Sequence, residues 1–366
     1  MKNKGKVLVA MSGGVDSAVA LLKIIEMGYD AIGVTMKLWE YNNVGGNTLK
    51  ENNCCAIESI NNAKLVCERL GVPHYTIDFT KDFEEKVINN FVDEYLSGRT
   101  PNPCVRCNSY VKWDTFINQA DKLGAEYIAT GHYAIIENKN EEYKITRGKD
   151  KGKDQSYVLW GIPQETLSRT ILPLGELTKK EVRQIALDNK FENAQAPESM
   201  EICFIPDNNY KRFINEYAKD KVEKISKKGA TLNEDGEKIG ENDGFINYTV
   251  GQRKGIGLTN PEPLYVKEIS SDKNSIVVSE KKSLFSKKCK ISNINWLKNK
   301  IKFPLDAFAQ IRYNGQISEA KISDKKGSIF ATFNKPQLAI TPGQSIVFYD
   351  KEETLLGGGI IELHES

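Results

Sequence analysis

Residues able to do chemistry fall in two groups along the chain. Ser12-Gly13-Gly14-Val15-Asp16-Ser17 sets two glycines between serine hydroxyls, with a carboxylate close behind. Glycines let backbone amides approach an oxygen closely, and a helix starting near Ser17 would add the positive end of its dipole. The anion that fits is a nucleotide phosphate. No lysine follows the glycines at the spacing of a Walker loop, so the loop is of another kind, and Asp16 reads as a magnesium partner. Taken alone, a Gly-Gly turn is first of all a strand-to-helix connection. The second group is sulfur. Thr100-Pro101-Asn102-Pro103-Cys104-Val105-Arg106-Cys107-Asn108 reads as a proline-stiffened loop carrying Cys-x-x-Cys. Arg106 between the thiols is expected to lower their pKa from about 8.5 toward thiolate. Cys203 follows far downstream in Ile202-Cys203-Phe204-Ile205, where apolar neighbours suit a buried structural cysteine as well as a reactive one.

These groups need a scaffold, and the hydrophobic pattern supplies one. Lys6 to Met11 reads as a buried strand, Ser17 to Met27 as a helix closed by Gly28, and Ala31 to Met36 as a second strand. Cys55 to Leu70 is a helix closed by Gly71, His74 to Asp78 a strand, Val111 to Leu123 a helix closed by Gly124, and Ala125 to Thr130 a strand. Alternation of this kind predicts an α/β domain with a parallel sheet covered by helices. Ligands in such folds bind at the carboxyl edge of the sheet. Met36 and Gly131 end strands there, Met36 as core or as packing for adenine, Gly131 because a missing side chain admits ribose or phosphate.

Tyr133 to Ile136 and Tyr143 to Arg147 read as a hairpin on the sheet edge. Thr178-Lys179-Lys180-Glu181 matches a capping box opening a helix of the same domain. Beyond residue 207 the pattern changes. Tyr210 to Tyr217 suits a helix and Lys219 to Lys228 a lysine-rich linker. After Gly229, short runs (Phe245 to Val250, Ser275 to Ser279, Ala307 to Tyr313, Ser328 to Phe333, Ser345 to Asp350) are cut by turn residues. They predict an all-β portion ending in a small barrel. The expected domains are 1–207, catalytic; 208–284, small, central and mostly β; and 285–366, a barrel.

Composition sets outer limits. A length of 366 residues suits two or three domains, and 40% hydrophobic with 27% charged residues is ordinary for a globular chain. A net charge of +2 announces no nucleic-acid binder, so such a role must rest on local basic loops such as Gly148 to Asp154 and Gly251 to Gly255. In an unknown protein those loops would first be taken as solvated. The apolar run Val7 to Met11 is shorter than a signal core of roughly 7 to 15 residues, and no stretch approaches the ~20 apolar residues of a membrane span. A cytoplasmic protein is expected. Seven cysteines there do not form a disulfide framework, so thiol catalysis or metal binding is the alternative.

The loop Ser12 to Ser17 resembles the pyrophosphate loop of the N-type ATP pyrophosphatases, whose members adenylate carboxylates, ureido groups or nucleobase carbonyls. With Ala10 to Ser17, Gly33 to Trp39, Thr100 to Asn108, Ala129 to Ala134, Lys153 to Tyr157, Glu201 to Ile205 and Tyr248 to Gly255, the chain resembles the bacterial tRNA-specific 2-thiouridylase family over nearly its whole length. The resemblance implies a doubly wound, adenine nucleotide alpha hydrolase-like α/β domain followed by a small central domain and an all-β barrel.

It also implies a reaction. ATP with Mg2+ adenylates the 2-carbonyl oxygen of the wobble uridine, and sulfur from a protein persulfide displaces AMP. By resemblance Cys203 carries the persulfide, Cys107 is the partner nucleophile, and a Cys107 to Cys203 disulfide closes the cycle. Ala10, Met11, Ser12, Gly13, Gly14, Val15, Asp16, Ser17, Met36 and Gly131 would hold the nucleotide. Asn102, Pro103 and Cys104 would border the target base, and His132, Lys153, Asp154, Gln155, Arg312, Tyr313 and Gln344 would touch tRNA. Arg312-Tyr313 pairs a cation with a ring on which a base can stack.

The implied partners are tRNAs for lysine, glutamate and glutamine and a sulfur-relay protein or cysteine desulfurase, with no membrane. Many members carry aspartate where this chain has Cys104, which leaves a general base in question. Cys104, Cys107 and Cys203 could instead hold an iron–sulfur cluster. Zinc needs a fourth ligand, and His132 suits a tRNA or nucleotide contact better. Cys54, Cys55, Cys67 and Cys289 read as structural. The rival readings are another ligase with the same loop, which would not need the thiols, and a non-catalytic RNA-binding module.

Overall fold

The computed structural model describes residues 4–40, 57–139, 142–197, 202–225, 227–298 and 300–362. The chain forms two compact units: residues 1–87, 104–209 and 352–355 in one, and 88–103, 210–351 and 356–366 in the other.

In the first unit β1 (Lys6–Ala10) leads into α1 (Val15–Glu26), β2 (Asp30–Lys37), α2 (Ile57–Arg69) and β3 (His74–Asp78). Helical turns continue through α3 (Thr80–Phe83), a wider-turned stretch Glu84–Ile88, and α4 (Asn89–Leu96), which lies in the second unit. Then come α5 (Pro103–Cys107), a second wide-turned stretch Asn108–Thr115, α6 (Phe116–Lys122), β4 (Tyr127–Ala129), the hairpin β5 (Ala134–Lys139) and β6 (Glu142–Arg147), β7 (Thr170–Ile171) and α7 (Lys179–Asp188).

The main sheet runs β3-β2-β1-β4-β7, and every pairing in it is parallel. Central β1 is buried on both faces, with Val7, Leu8 and Val9 fully enclosed, as a continuous apolar run requires. The chain turns one way from β1 to β2 and the other way to β4, so β1 ends at the topological switch point where ligands bind in open α/β sheets. Helix α1 packs Ala18, Val19, Leu21 and Ile24 into the core and ends before Gly28, whose φ of +87° suits the left-handed turn. A side chain at Gly33 would collide with the Cys67 sulfur, so this glycine lets α2 lie close against β2.

Several expectations change here. The Cys-x-x-Cys segment is not a loop: Pro103 occupies the first helical position of α5, where its missing N–H costs nothing. The predicted helix from Val111 is the continuation of that same helical run. The β5–β6 hairpin forms its own two-stranded sheet, and the main sheet ends beyond β4 in β7, only two residues long and too short for periodicity to reveal. Helix α1 starts at Val15, two residues earlier than expected.

In the second unit, α8 (Tyr210–Tyr217) is followed by α9 (Lys219–Ile225) where a linker was expected; Val222 is buried and Lys219 pairs with Glu223 one turn on. Strands β8 (Gly229–Leu232), β9 (Lys238–Asn242), β10 (Tyr265–Ser270) and β11 (Ser275–Ser279) form a sheet in the order β10-β11-β8-β9. Phe245 to Val250 is not a strand: Phe245–Asn247 makes a single 3₁₀ turn after Gly244 (φ +96°), burying Phe245 and Ile246. Strands β12 (Phe285–Trp296), β13 (Leu305–Gln310), β14 (Ser318–Lys325), β15 (Ser328–Leu338), β16 (Ser345–Tyr349) and β17 (Leu355–Glu362) close a barrel in the order β12-β15-β14-β13-β16-β17. Closure leaves no sheet edge open, and Ile291, Ile322, Phe333 and Phe348 fill the interior.

Candidate nucleotide and thiol site

The phosphate loop leaves β1 at its carboxyl end. Gly13 has φ +79°, and any side chain there would overlap the Ser59 backbone, so both conformation and space demand glycine. The Ser17 hydroxyl donates to the Gly14 carbonyl at 2.9 Å and accepts from the Ser12 N–H at 3.2 Å, which folds the loop over the first turn of α1. Gly14 caps that helix and, having no side chain, makes no side-chain hydrogen bond to its first turn. Asn193, missed in the sequence, donates to the Gly13 carbonyl at 2.7 Å and fixes that peptide. Met11 is buried in the core, whereas Ala10 and Met36 keep part of their surface in solvent.

Asp16 projects from the first turn of α1. Its carboxylate accepts from the Tyr133 hydroxyl at 2.6 Å and from the Lys179 ammonium at 2.7 and 2.8 Å, one contact to each oxygen. Lys179 was not singled out by its sequence position. It is 8% exposed at the start of α7, whose capping box is complete, with Thr178 accepting from the Glu181 N–H and Glu181 accepting in return. The loop that lacks a lysine of its own thus faces one from 163 positions away. Gly131 stands close to Asp16: an added Cβ would lie 2.9 Å from the Asp16 carbonyl carbon. The first demand on Gly131 is therefore to let α1 pack on the end of β4.

His132 accepts or donates at 2.7 Å with Thr130 through Nδ1, and its ring lies 5.6 Å from that of Trp113. Although the residue as a whole keeps some exposure, enclosure of the ring, assisted by nearby Lys112, pushes its pKa well below the usual histidine range. It is a neutral ring at pH 7. Gln155 spends its amide oxygen on the Tyr133 N–H at 3.0 Å, and Asp154 accepts from Arg147, the Gly148 N–H and Ser156. Both residues organise the turn that carries Lys153, which stays partly exposed.

Cys107 is buried at 8% exposure, Cys104 is exposed one helical turn before it, and Cys203 is intermediate. Arg106, between the two thiols in sequence, donates to the Lys86 carbonyl at 2.8 Å and stacks 4.6 Å from the Tyr110 ring. The segment after Cys203 is anchored by Phe204, fully buried and edge-on to Phe83 at 5.6 Å, which in turn meets Trp39 at 6.0 Å. The two cysteine segments are therefore fastened to Lys86 and Phe83, three residues apart on one helical stretch. Among the described residues, no three His, Cys, Asp or Glu side chains gather as a metal site. Cys67 and Cys289 are buried thiols pushed up to about 12 by burial, in keeping with a structural part. Cys54 and Cys55 lie outside the described residues.

In the second unit Gln344 donates to the Thr100 and Pro101 carbonyls at 3.0 and 2.9 Å, bracing the chain just before Asn102, which is partly exposed, and Pro103, which is buried. Arg312 and Tyr313 are exposed; Arg312 donates to the Ala339 carbonyl at 2.7 Å, and a Cβ at Gly251 would touch Ala339 at 3.0 Å. The basic loop Gly251 to Gly255 and Arg312-Tyr313, distant in sequence, thus share a neighbour.

A phosphate loop at the switch point of a parallel sheet, joined in one chain to a central β domain and a closed barrel, defines a nucleotide-using α/β protein with appended β modules. Family models match in that order: a tRNA methyl transferase HUP domain over residues 5–207, a tRNA methyl transferase PRC-barrel domain over 211–280, and an aminomethyltransferase beta-barrel domain over 286–361. The chain is 46% identical to the tRNA-specific 2-thiouridylase MnmA of Amoebophilus asiaticus, over 98% of this chain and 95% of that protein. It is 45% identical to the protein of the same name from Salinibacter ruber (99% and 96% covered) and 44% to that of Halothermothrix orenii (98% and 99%). The chain belongs to the tRNA-specific 2-thiouridylase family.

Proposed function

We propose that the protein is an ATP-dependent tRNA-uridine 2-sulfurtransferase built as a catalytic domain over 1–207, a central domain over 208–284 and a barrel over 285–366. The observation that carries this reading is the fastening of the Cys107 and Cys203 segments to one helical stretch of the same unit that holds the phosphate loop. The uridine 2-oxygen attacks the α-phosphorus of ATP, and pyrophosphate leaves with the bonding pair. Ser12 to Ser17 binds the phosphates, with Ala10, Met11, Met36 and Gly131 bordering the nucleotide. Mg2+ would arrive with ATP, and Asp16 is the carboxylate at the loop that would meet it. One carboxylate plus substrate phosphates is a common magnesium environment.

The terminal sulfur of a Cys203 persulfide then attacks C2, and AMP leaves with the C–O pair. Cys107 thiolate attacks the Cys203 sulfur, forming the Cys107–Cys203 disulfide and leaving the transferred sulfur on the base. A cellular thiol reduces the disulfide, and a sulfur-relay protein or cysteine desulfurase reloads Cys203. Splitting the substitution into activation and displacement lowers each barrier. The uridine must leave the anticodon stack to be reached. Asn102, Pro103 and Cys104 are placed beside it in this reading, with His132, Lys153, Asp154, Gln155, Arg312, Tyr313 and Gln344 on the tRNA side, in tRNAs for lysine, glutamate and glutamine. As a neutral ring, His132 serves by stacking or hydrogen bonding and not as a phosphate-binding cation. The reaction belongs to the cytoplasm, and among the described residues no helix is long and apolar enough to cross a membrane.

Incubating unmodified tRNA with ATP, a persulfide donor and the purified chain tests the function by nucleoside mass spectrometry. The expected product is 2-thiouridine at the wobble position with one pyrophosphate per sulfur. Wobble uridine that gains no sulfur would refute it.

A further inference from the structure

Asn193 reaches the phosphate loop from 180 positions away, on the 3₁₀ turn Glu192–Gln195. It is 5% exposed, and its side-chain N–H donates to the Gly13 carbonyl at 2.7 Å. A carbonyl only accepts, so the amide nitrogen must be the atom that faces it. The turn is itself braced. Phe191 and Ala194 are buried in the core that holds β1 and α1, and the Arg183 guanidinium of α7 donates to the Ala194 and Ala196 carbonyls at 2.9 and 3.0 Å. A fixed support therefore grips one peptide unit of a glycine-built loop. We propose that Asn193 is a positioning residue for the nucleotide, which locks the Gly13–Gly14 peptide with its N–H turned toward the phosphates.

This inference rests on the ATP-dependent reading above and deepens its nucleotide-binding half. A trans peptide is planar, so its C=O and N–H point in opposite directions. With the Gly13 carbonyl held on Asn193, the Gly14 N–H points to the other side, where it meets the Ser12 hydroxyl at 3.4 Å. That contact is long, and a phosphate oxygen at normal hydrogen-bond distance would be the better acceptor. Glycines flank the peptide on both sides, and without a Cβ on either it can turn over at little steric cost. Turned over, it would present a carbonyl oxygen to the phosphates and replace attraction by repulsion. Folding alone gives little reason for an amide side chain here: Asn193 Oδ1 is buried and finds no donor among the described residues, a cost that an apolar side chain would avoid.

The test uses the full chain with Asn193→Leu, which keeps about the same size and loses the donor, and Asn193→Asp, which keeps the shape and, when ionised, cannot donate. For both, the KM for ATP in tRNA-dependent pyrophosphate release should rise about 10-fold or more, the scale of one hydrogen bond to a charged group. The kcat should stay within about threefold, the pattern of binding lost equally from ground and transition states. Calorimetry should show pyrophosphate binding weakened by a similar factor, with tRNA binding unchanged. The urea midpoint of nucleotide-free Asn193→Leu should hold or rise. An unchanged KM, a kcat that falls as far as KM rises, or a lowered midpoint with pyrophosphate and tRNA weakened alike overturns the proposal. If Asn193→Leu does not fold, the KM and kcat of Asn193→Asp decide by the same comparison. An unmutated chain that releases no pyrophosphate with ATP and tRNA overturns the parent reading and this inference with it, whereas an active unmutated chain matched by both variants overturns this inference alone.

Discussion

Among single residues, the cysteines separate by environment. Cys67 and Cys289 are enclosed, with thiols pushed up to about 12, and are poor nucleophiles at pH 7. Cys107 and Cys203 sit on anchored segments, and the two halves of the proposed reaction need them unequally. Cys203→Ala and Cys107→Ala are each expected to leave less than about 1% of thiolation while tRNA-dependent pyrophosphate release persists, because activation precedes any sulfur chemistry. Mass spectrometry of the tRNA beside a pyrophosphate assay checks this, and full thiolation by either variant would point to a ligase that ignores the thiols. His132 gives a second residue-level prediction. Burial holds its folded pKa far below the unfolded value of about 6.5, so its neutral form contributes full stability above that pH. As pH falls below about 6.5 the unfolded chain takes the proton first, and stability drops by at most about 1.4 kcal/mol per pH unit. His74, also lowered by burial, acts in the same direction. Urea unfolding at pH 7.5, 6.5 and 5.5 should show this loss, and His132→Gln should reduce its slope.

Elements of secondary structure set what those residues can reach. The Cys-x-x-Cys segment reads as a loop because two prolines precede it, yet Pro103 at the first helical position starts α5. The same helical periodicity places Cys104 and Cys107 one turn apart, with one exposed and one buried. At the head of the sheet, β4 and α1 approach so closely that Gly131 has no room for a methyl group. Gly131→Ala should therefore push the first turn of α1 away from β4, costing about 1–3 kcal/mol as an overpacked site. The displaced Asp16 and loop amides should raise the KM for ATP. Denaturant midpoints and ATP dependence of pyrophosphate release check both parts; a neutral substitution would show that the contact is easily relieved.

For the whole molecule, the proposed reaction asks distant parts of the chain to meet one RNA. Net charge is only +2, so the grip must come from local cations such as Arg312 beside the Gly251 to Gly255 loop. Each neutralised phosphate releases counterion, so Arg312→Ala should lower the slope of log affinity against log salt by about 0.7 to 0.9. Tyr313→Ala should weaken binding without changing that slope, because stacking carries no charge. Filter binding of tRNA across a salt series separates the two, and an unchanged slope for Arg312→Ala would remove Arg312 from the phosphate contacts.

By itself the sequence determined what short range controls. The parallel α/β domain, the glycine loop after β1, the Thr178 capping box and the β character of the carboxy-terminal portion follow from periodicity, turn chemistry and caps read over a few residues. The central-sheet strand Ser275 to Ser279 and the barrel strand Ser345 to Tyr349 were legible for the same reason. What escaped was short or remote. Two-residue β7 has no period to detect, and α9 hides in a lysine-rich run because only Val222 is buried. Lys179 and Asn193 at the phosphate loop, Arg106 turned to Lys86 and Tyr110, and the fastening of Cys107 and Cys203 to one stretch were decided by tertiary structure alone. Each depends on side chains separated by many residues, and no local pattern encodes which distant partner a packed chain will bring within hydrogen-bond distance.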